Sequence, residues 1–226
     1  MKGCSSMQFH CKRRMLVLAG LGSCYPLVQA AQTTPSSVIL VLGDSLSAEY
    51  GLQRGSGWVS LMTQRLQREQ IHAHVVNASI SGETTSGGRA RLPALLQQHR
   101  PRFVVIELGA NDALRGLSLR GTRDNLSAMV ASSQAQGAQV VLVGMQMPPN
   151  FGKRYADDFA RLFKEVAQAR RCALVPFFLK GVADRPDARD WFQPDGIHPT
   201  EKAHPIMLDN VWGTLKPLLL RRQART

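Results

Sequence analysis

Short apolar runs alternate with amphipathic stretches along this chain. Each run has four to six residues, is rich in Val, Leu, Ile or Phe, and begins 29 to 37 residues after the start of the run before it. Runs of this length predict buried β-strands. The five predicted strands occupy residues 38–42, 74–77, 103–108, 140–145 and 173–177.

Between these runs, apolar side chains recur at every third or fourth position, which predicts helices with one apolar face. Pro101 and Gly137 mark the ends of two of the helices. A last helix is predicted after the fifth strand. The apolar positions are Val59, Met62 and Leu66; Leu92, Leu95 and Leu96; Leu126, Met129 and Val130; Phe159, Leu162, Phe163 and Val166; and Leu208, Val211, Trp212 and Leu215.

Alternation of short strands with single helices indicates a parallel sheet built from right-handed βαβ crossovers. We therefore expect an α/β fold, a three-layer α/β/α sandwich with a five-stranded parallel sheet of the flavodoxin-like kind. In such sheets, reactive groups gather beyond the carboxyl ends of the strands. The chain has 226 residues, 44% of them apolar and 19% charged, which suits one globular domain.

The beginning of the chain has the pattern of a secretory signal peptide. Its first 31 residues carry four Lys or Arg and no acidic residue, and the cations precede an apolar stretch at 15–21. Val28 and Ala30 supply the small residues that a signal peptidase requires. We expect residues 1–30 to be removed, which leaves one domain at 31–226 in the periplasm or outside the cell.

Two alternatives to simple cleavage remain open. A membrane anchor would need about 20 apolar residues, and this stretch is shorter and is interrupted by Gly, Ser and Pro. No stable membrane span is therefore expected. The string Leu-Gly-Ser-Cys that ends at Cys24 resembles a lipoprotein processing box, so acylation of Cys24 is the second alternative.

The cysteines do not predict a disulfide framework. Cys4, Cys11 and Cys24 lie in the leader, which leaves Cys172 alone in the expected mature domain. Cys172 precedes an apolar run, so we interpret it as a small buried residue and not as a nucleophile.

The formal net charge of +12 raises the question of a nucleic-acid partner. The Lys and Arg residues are scattered among the helices, and no set of aromatic residues for base stacking accompanies them. We therefore expect a solvated cationic surface, no nucleic acid, and a monomer that acts on small molecules.

Ser45 is the candidate nucleophile. It follows the first strand in the string Gly43-Asp44-Ser45. Gly43 permits a tight turn, and the turn would expose the Ser45 hydroxyl at the carboxyl edge of the sheet. A helix starting after Ser45 would direct free N–H groups at a developing anion.

Two further strand ends carry candidate oxyanion donors. Gly82 follows the second strand and can present an unobstructed N–H, while Asn111 follows the third strand and can donate from its carboxamide. Asp44 and Asp112 flank these positions, and we expect them to hold backbone N–H groups and not to act as catalytic carboxylates.

Asp195 and His198 are the candidate partners of the nucleophile. A carboxylate three residues before an imidazole can reach its Nδ1 proton, fix the tautomer, and stabilise the imidazolium that forms when Nε2 takes the proton of Ser45. Each of these strings alone is a common turn, but their joint occurrence in this order at strand ends is not. The other histidines, His72, His74, His99 and His204, lack the spacing of metal ligands, so no metal is expected.

At these residues the chain resembles the SGNH (GDSL) hydrolase family, and within it the bacterial thioesterase I, arylesterase and lysophospholipase group. The resemblance covers nearly all of the expected mature chain. It is carried by the segments GDSLSAEYG, GWVSLM, VVNASISGETTSGGRARLPALL, ELGANDALRG, GMQMPPNFG, LVPFFL and DGIHPTEKAHPIMLDNVW. Ala110 and Ala113 stand where relatives often carry glycine, which is expected to stiffen the loop after Asn111.

The resemblance implies a triad of Ser45, His198 and Asp195. It also implies an oxyanion hole formed by the backbone amides of Ser45 and Gly82 and the side chain of Asn111. The implied substrates are acyl esters, acyl-CoA thioesters and lysophospholipids, hydrolysed without metal or cofactor, usually in the periplasm.

The sequence also predicts an acyl groove. Met145, Pro148 and Phe151 are the candidate substrate contacts, together with Trp58, Met147 and Pro149, although Met and aromatic residues near strand ends are at least as often core. Two rival functions also remain: a carbohydrate O-acetylesterase of the same fold, and a catalytically silent exported protein that binds a lipid or an anionic ligand.

Overall fold

The computed structural model describes residues 37–223, and the expected leader with Cys4, Cys11 and Cys24 lies outside this range. The described chain contains a five-stranded sheet in which every pairing is parallel and the strand order is β2-β1-β3-β4-β5. The strands are β1 (Ser37–Gly43), β2 (Ala73–Asn77), β3 (Phe103–Glu107), β4 (Gln139–Val143) and β5 (Ala173–Val175).

Six α-helices connect and cover the strands. One pair, α1 and α6, packs together, and α2, α4 and α5 pack together in a second layer. The predicted three-layer α/β/α sandwich is thereby confirmed. The helices are α1 (Trp58–Arg68), α2 (Thr85–His99), α3 (Ala110–Leu114), α4 (Leu119–Ala135), α5 (Lys153–Arg170) and α6 (His204–Gln223), and the short 3-10 helices are Pro149–Phe151, Ala188–Trp191 and Glu201–Ala203.

Burial explains why the strands are recognisable in the sequence. All five residues of β3 are buried, as are the last five of β1, because helices cover both faces of the central strands. Neither face of such a strand contacts solvent, so polar residues do not alternate along it and it appears in the sequence as a continuous apolar run.

Three predicted strands are too long at their carboxyl ends. The third, fourth and fifth were extended to residues 108, 145 and 177, whereas β3 ends at Glu107, β4 at Val143 and β5 at Val175. At Gly144 the chain leaves the regular ladder: its N–H donates to the Val175 carbonyl at 2.8 Å and its carbonyl accepts from Phe178 N at 2.8 Å. Leu108 and Met145, beyond the ends of β3 and β4, are buried beside the sheet and not within it, whereas Phe177 is half-buried.

Cys172 packs against the core but is only partly buried, whereas the sequence predicted a buried residue. Burial raises the pKa of its thiol to about 11, which keeps it protonated and unreactive at neutral pH. Within residues 37–223, no helix combines the length and the apolar character that crossing a bilayer requires.

Candidate active site

Ser45 lies at the carboxyl edge of the sheet, two residues after β1 ends at Gly43. The predicted helix after Ser45 is wrong, because residues 45–51 form successive turns and the first helix begins at Trp58. Only one helical turn forms, closed by Ala48 N donating to the Asp44 carbonyl at 3.0 Å. The chain cannot continue as a helix since Glu49 adopts a left-handed conformation, with φ of 59°.

His198 lies beside Ser45, although 153 residues separate them along the chain. Its Nε2 is 2.8 Å from Ser45 Oγ. On the other side of the ring, Nδ1 is 2.7 Å from Asp195 Oδ2. The three side chains predicted from the sequence therefore form one continuous hydrogen-bonded path.

The loop that carries Asp195 and His198 is shaped by its own backbone. Gln193 N donates to the His198 carbonyl at 2.7 Å, and Gly196 adopts a φ of 68°, which few residues other than glycine tolerate. Asp195 Oδ1 accepts from the His198 N–H at 3.0 Å and from the Ile197 N–H at 2.9 Å. One carboxylate oxygen thus holds the loop while the other is available to the imidazole.

These contacts keep Asp195 ionised. The backbone N–H of His198, the N–H of Ile197 and the His198 ring lower the pKa of Asp195 to about 2 against the opposing effect of desolvation. A carboxylate 2.7 Å from Nδ1 is an acceptor only, so it places the ring proton on Nδ1. Nε2 is then free to accept the proton of Ser45.

Asn111 lies in the first turn of α3 and faces the turn that carries Ser45. Its Nδ2 donates to Asp44 Oδ2 at 3.1 Å, which uses one of its two amide hydrogens. Asp44 Oδ1 accepts from Leu46 N at 3.0 Å. Asp44 therefore holds backbone and amide N–H groups, as the sequence indicated.

Gly82 lies in the turn after β2 with a φ of 78°, and Arg115 donates to its carbonyl at 2.8 Å. Within residues 37–223, neither the Ser45 N–H nor the Gly82 N–H donates to a backbone carbonyl. Both amides are therefore free of the backbone ladder, as an oxyanion hole requires.

Asp112 joins three of the surrounding segments. Its carboxylate accepts from Thr85 N at 2.8 Å, from the Thr85 hydroxyl, and from the Thr122 hydroxyl at 3.2 Å. This carboxylate is buried and accepts from three donors, so it anchors α2 and α4 to the loop of Asn111 and is not a second general base.

Two side chains near the site, those of Glu107 and Tyr50, were not predicted from the sequence. Glu107, the last residue of β3, is fully buried and contacts Asp44 and Ser47. Tyr50 places its ring against the imidazole of His198, with ring centroids 4.3 Å apart and planes inclined by 36°. A strand-end glutamate and a loop tyrosine carry no motif of their own, so only the tertiary contacts reveal them.

The predicted substrate contacts fall into two groups. Met145 is 6% exposed and belongs to the core, and Trp58 is fully buried, with its Nε1 donating to Ser47 Oγ at 3.1 Å. The core interpretation therefore holds for Trp58, which cannot line a groove. Pro148 and Phe151 are exposed, and their contact with an acyl chain stays a prediction, as does that of Met145.

Exposed apolar side chains are concentrated around this edge of the sheet. Within the described residues, all but one of the large exposed apolar side chains lie on connections that leave the carboxyl ends of strands; the exception is Leu220 on α6. The others are Tyr50, Ile80, Leu114, Leu117, Phe151 and Ile197. Over the same part of the chain, no three His, Cys, Asp or Glu side chains are grouped as metal ligands would be.

Comparison with protein families matches residues 41–206 to the GDSL-like lipase/acylhydrolase family. The chain belongs to this family. The matched span contains all five residues of the candidate GDSL site: Ser45, Gly82, Asn111, Asp195 and His198.

Curated GDSL relatives are similar over most of the chain. The esterase TesA of Pseudomonas aeruginosa is 49% identical over 206 residues, which cover 91% of this chain and 100% of the relative. A protein of Escherichia coli K12 named thioesterase 1/protease 1/lysophospholipase L1 is 40% identical over 184 residues, or 81% of this chain and 86% of the relative.

A solved structure agrees with this assignment. The psychrotrophic esterase EstA from Pseudoalteromonas sp., inhibited by monoethylphosphonate, superposes with a TM-score of 0.75 at 42% identity. The match covers 81% of this chain and 98% of that one. The GDSL fold and the relatives thus agree with the family that the strand-end motifs suggested.

The ring of Tyr50 generates a first prediction. An aromatic face beside an imidazolium contributes about 0.5–1 kcal/mol at an exposed site. Replacing Tyr50 with Ala is therefore expected to lower kcat about 2- to 5-fold on a soluble ester, with an unchanged unfolding midpoint. Tyr50→Phe keeps the ring and is the matched control. Equal losses in both variants would assign the effect to the hydroxyl and contradict the role of the ring.

Proposed function

We propose that this chain is a serine hydrolase that cleaves acyl esters and thioesters through an acyl-enzyme on Ser45. The observation that carries the proposal is the hydrogen-bonded path from Ser45 Oγ to His198 and on to Asp195, with distances of 2.8 and 2.7 Å. A hydroxyl, an imidazole and an ionised carboxylate in this order form an activated nucleophile.

The first half-reaction forms the acyl-enzyme. Ser45 Oγ attacks the carbonyl carbon while His198 Nε2 takes its proton, and Asp195 stabilises the imidazolium. The oxyanion accepts hydrogen bonds from the Ser45 and Gly82 N–H groups and from the second amide hydrogen of Asn111. The tetrahedral intermediate then collapses, and the leaving alcohol or thiol takes the proton from His198.

The second half-reaction regenerates the enzyme. Water attacks the Ser45 ester and gives a proton to His198 Nε2, and the same donors stabilise the second oxyanion. Collapse returns the proton to Ser45 Oγ and releases the carboxylic acid. Each proton that leaves a nucleophile is returned to a leaving group, so no cofactor takes part.

The exposed apolar side chains around the site support an acyl group as the recognised part of the substrate. Ile80, Leu114 and Leu117 lie on the connections that carry Gly82 and Asn111. A small acetyl group would need little of this surface. We therefore place medium or long acyl esters, thioesters and lysophospholipids ahead of acetylated carbohydrates. The names of the relatives, esterase, thioesterase and lysophospholipase, agree with these classes of substrate but state no chain length.

The test of this function is hydrolysis of p-nitrophenyl acyl esters from acetyl to palmitoyl, by the protein and by its Ser45→Ala variant. Turnover is expected to peak beyond acetyl and to fall by about 10³-fold or more in the variant, because the covalent step is lost. Labelling by a fluorophosphonate is expected to disappear in parallel.

Other outcomes of the same series identify the rivals. Turnover confined to acetyl would favour the O-acetylesterase. Absence of both turnover and labelling in the wild-type protein would favour the silent binding protein, and near-normal turnover by Ser45→Ala would remove Ser45 from the mechanism.

Asp195 has a matched control in Asp187, because hydrogen bonds lower the pKa of both carboxyls to about 2. Asp187 accepts from Arg185 and from Trp191 Nε1, and neither contact involves the Ser45 path. Asp195→Asn is expected to lower kcat by about 10²- to 10⁴-fold, since an amide does not stabilise the imidazolium. Asp187→Asn is expected to retain kcat. Similar losses in both would indicate a general effect on folding.

We also propose export, on the basis of the charged and apolar pattern of the leader. Expression in a Gram-negative host is expected to give a periplasmic protein that begins at Ala31. Mass spectrometry of the purified protein tests this, because a chain that begins at an acylated Cys24 would show a lipoprotein, and an intact leader would contradict cleavage.

A further inference from the structure

Glu107 is a buried acid for which the proposed mechanism has no use. It ends β3 with a side chain only 2% exposed, and the parallel register places it directly beside Gly43. A Cβ at Gly43 would lie 2.8 Å from Glu107 Oε2 and 2.6 Å from Ser47 Oγ. Glycine at position 43 therefore makes room for this carboxyl group as well as for the turn.

The carboxyl group of Glu107 is held by a defined set of donors. Oε2 accepts from Ser47 Oγ at 2.7 Å and from Asp44 N at 3.3 Å. Trp58 Nε1 in turn donates to Ser47 Oγ at 3.1 Å. These contacts fix the backbone of Asp44, the residue immediately before Ser45.

Glu107 and Asp44 also face one another through their carboxyl groups. The His198 ring also acts on Asp44 and favours its charged form. Two carboxylates in a dry contact repel strongly, so such a pair retains one proton. Burial and the neighbouring Asp44 raise the pKa of Glu107 well above its ordinary range, and burial raises the pKa of Asp44 to about 6.

The hydrogen bonds decide which partner holds the proton. Asp44 accepts from Leu46 N and from Asn111 Nδ2, and both donors favour its ionised form. These donors occupy both oxygens of Asp44, whereas the two donors to Glu107, Ser47 Oγ and Asp44 N, both reach Oε2 and leave Oε1 able to carry the proton. At neutral pH, Glu107 is therefore the neutral acid that donates to Asp44, and Asp44 carries the charge.

The same contacts link this pair to the proposed chemistry. Asp44 Oδ2 directs the carboxamide of Asn111, and Asp44 Oδ1 holds Leu46 N on the far side of Ser45. A displaced Asp44 carboxylate would thus misalign both the nucleophile turn and one oxyanion donor.

We propose that Glu107 is a positioning residue of the active site, which as a neutral carboxylic acid holds Asp44 and, through Asp44, orients Asn111 and the turn of Ser45. The proposal rests on the proposed function of Asn111 as an oxyanion donor. Glu107 does not touch the substrate, and it acts only through its neighbours.

Two replacements of Glu107 separate the neutral acid from other roles. Gln presents an N–H donor and a carbonyl acceptor, as a protonated Glu does, whereas Leu presents neither. Glu107→Leu is expected to lower kcat by about 10-fold or more with little change in KM, because the loss is in transition-state stabilisation. Glu107→Gln is expected to restore most of the wild-type kcat at pH 7.

The pH dependence of kcat distinguishes the proposed role of Glu107 from a purely structural role, which would not change it. As pH rises, wild-type Glu107 must lose its proton beside a charged Asp44, so kcat is expected to fall at the alkaline end. Glu107→Gln has no such proton and is expected to stay active there. Glu165→Gln removes an exposed carboxylate on α5 and serves as the control that keeps the wild-type profile.

The stability of the protein is also expected to depend on the protonation of Glu107. The folded chain holds the Glu107 proton more tightly than the unfolded chain does, so this group's contribution to stability is lost as pH rises above about 4.3, the ordinary pKa of Glu. The unfolding midpoint of Glu107→Gln relative to wild type is therefore expected to increase from pH 5 to pH 9. This measurement does not depend on catalysis.

A double-mutant cycle tests the link to Asn111. If Glu107 acts through Asn111, the loss from Glu107→Leu together with Asn111→Ala is expected to be smaller than the product of the separate losses. Additive losses would overturn that link. Equal inactivity of Glu107→Gln and Glu107→Leu at pH 7 would overturn the claim that Glu107 acts as a neutral acid.

If the Glu107→Leu variant does not fold, Glu107→Gln still tests the proposal. A decline of its kcat at alkaline pH that coincides with the wild-type decline would overturn the proposal by itself. These outcomes are distinguishable from failure of the proposed function. That failure would appear as turnover by Ser45→Ala, whatever residue occupies position 107.

Discussion

The parallel pairing of β1 with β3 is the constraint on which the site depends. It places Gly43 beside Glu107 at the same edge of the sheet, so the turn of Ser45 and the helix of Asn111 leave neighbouring strands together. Asp44 can then accept from Asn111 across the gap at 3.1 Å. A shift of register by one residue would turn these side chains to the other face of the sheet and remove the contact.

The loop that carries Asp195 and His198 lies far along the chain from Ser45 and Asn111. Separate contacts hold this loop in place. Gln193 Nε2 donates to the Tyr50 carbonyl at 3.0 Å, which joins the loop of His198 to the turns after Ser45. Trp58 N donates to His204 Nδ1 at 3.1 Å, and burial lowers the pKa of His204 to about 4, so its ring stays a neutral acceptor. These contacts explain how a loop without regular structure can hold an imidazole in place.

The sequence predicts the sheet and the motif residues because both depend on local signals. A strand buried on both faces is a continuous apolar run, and Ser45, Asn111 and His198 follow such runs or stand in short recognisable strings. The turns after Ser45 were predicted as a helix because positive backbone angles at non-glycine residues leave no trace in composition. Glu107 and Tyr50 were missed for a related reason: their contacts lie 60 and more residues away or depend on how a loop folds back.

The carboxyl groups of the site show why residue type alone does not assign a role. Asp195 is partly exposed and accepts two backbone N–H groups, which lower its pKa to about 2 and keep it an anion beside His198. Asp44 is buried, and desolvation raises its pKa to about 6, while burial and the neighbouring Asp44 raise the pKa of Glu107 well above its ordinary range. Solvation and donors, set by tertiary structure, thus separate an anion that can stabilise an imidazolium from an acid that can donate a hydrogen bond. A sequence shows the carboxyl groups, but their charge follows only once the packing around them is known.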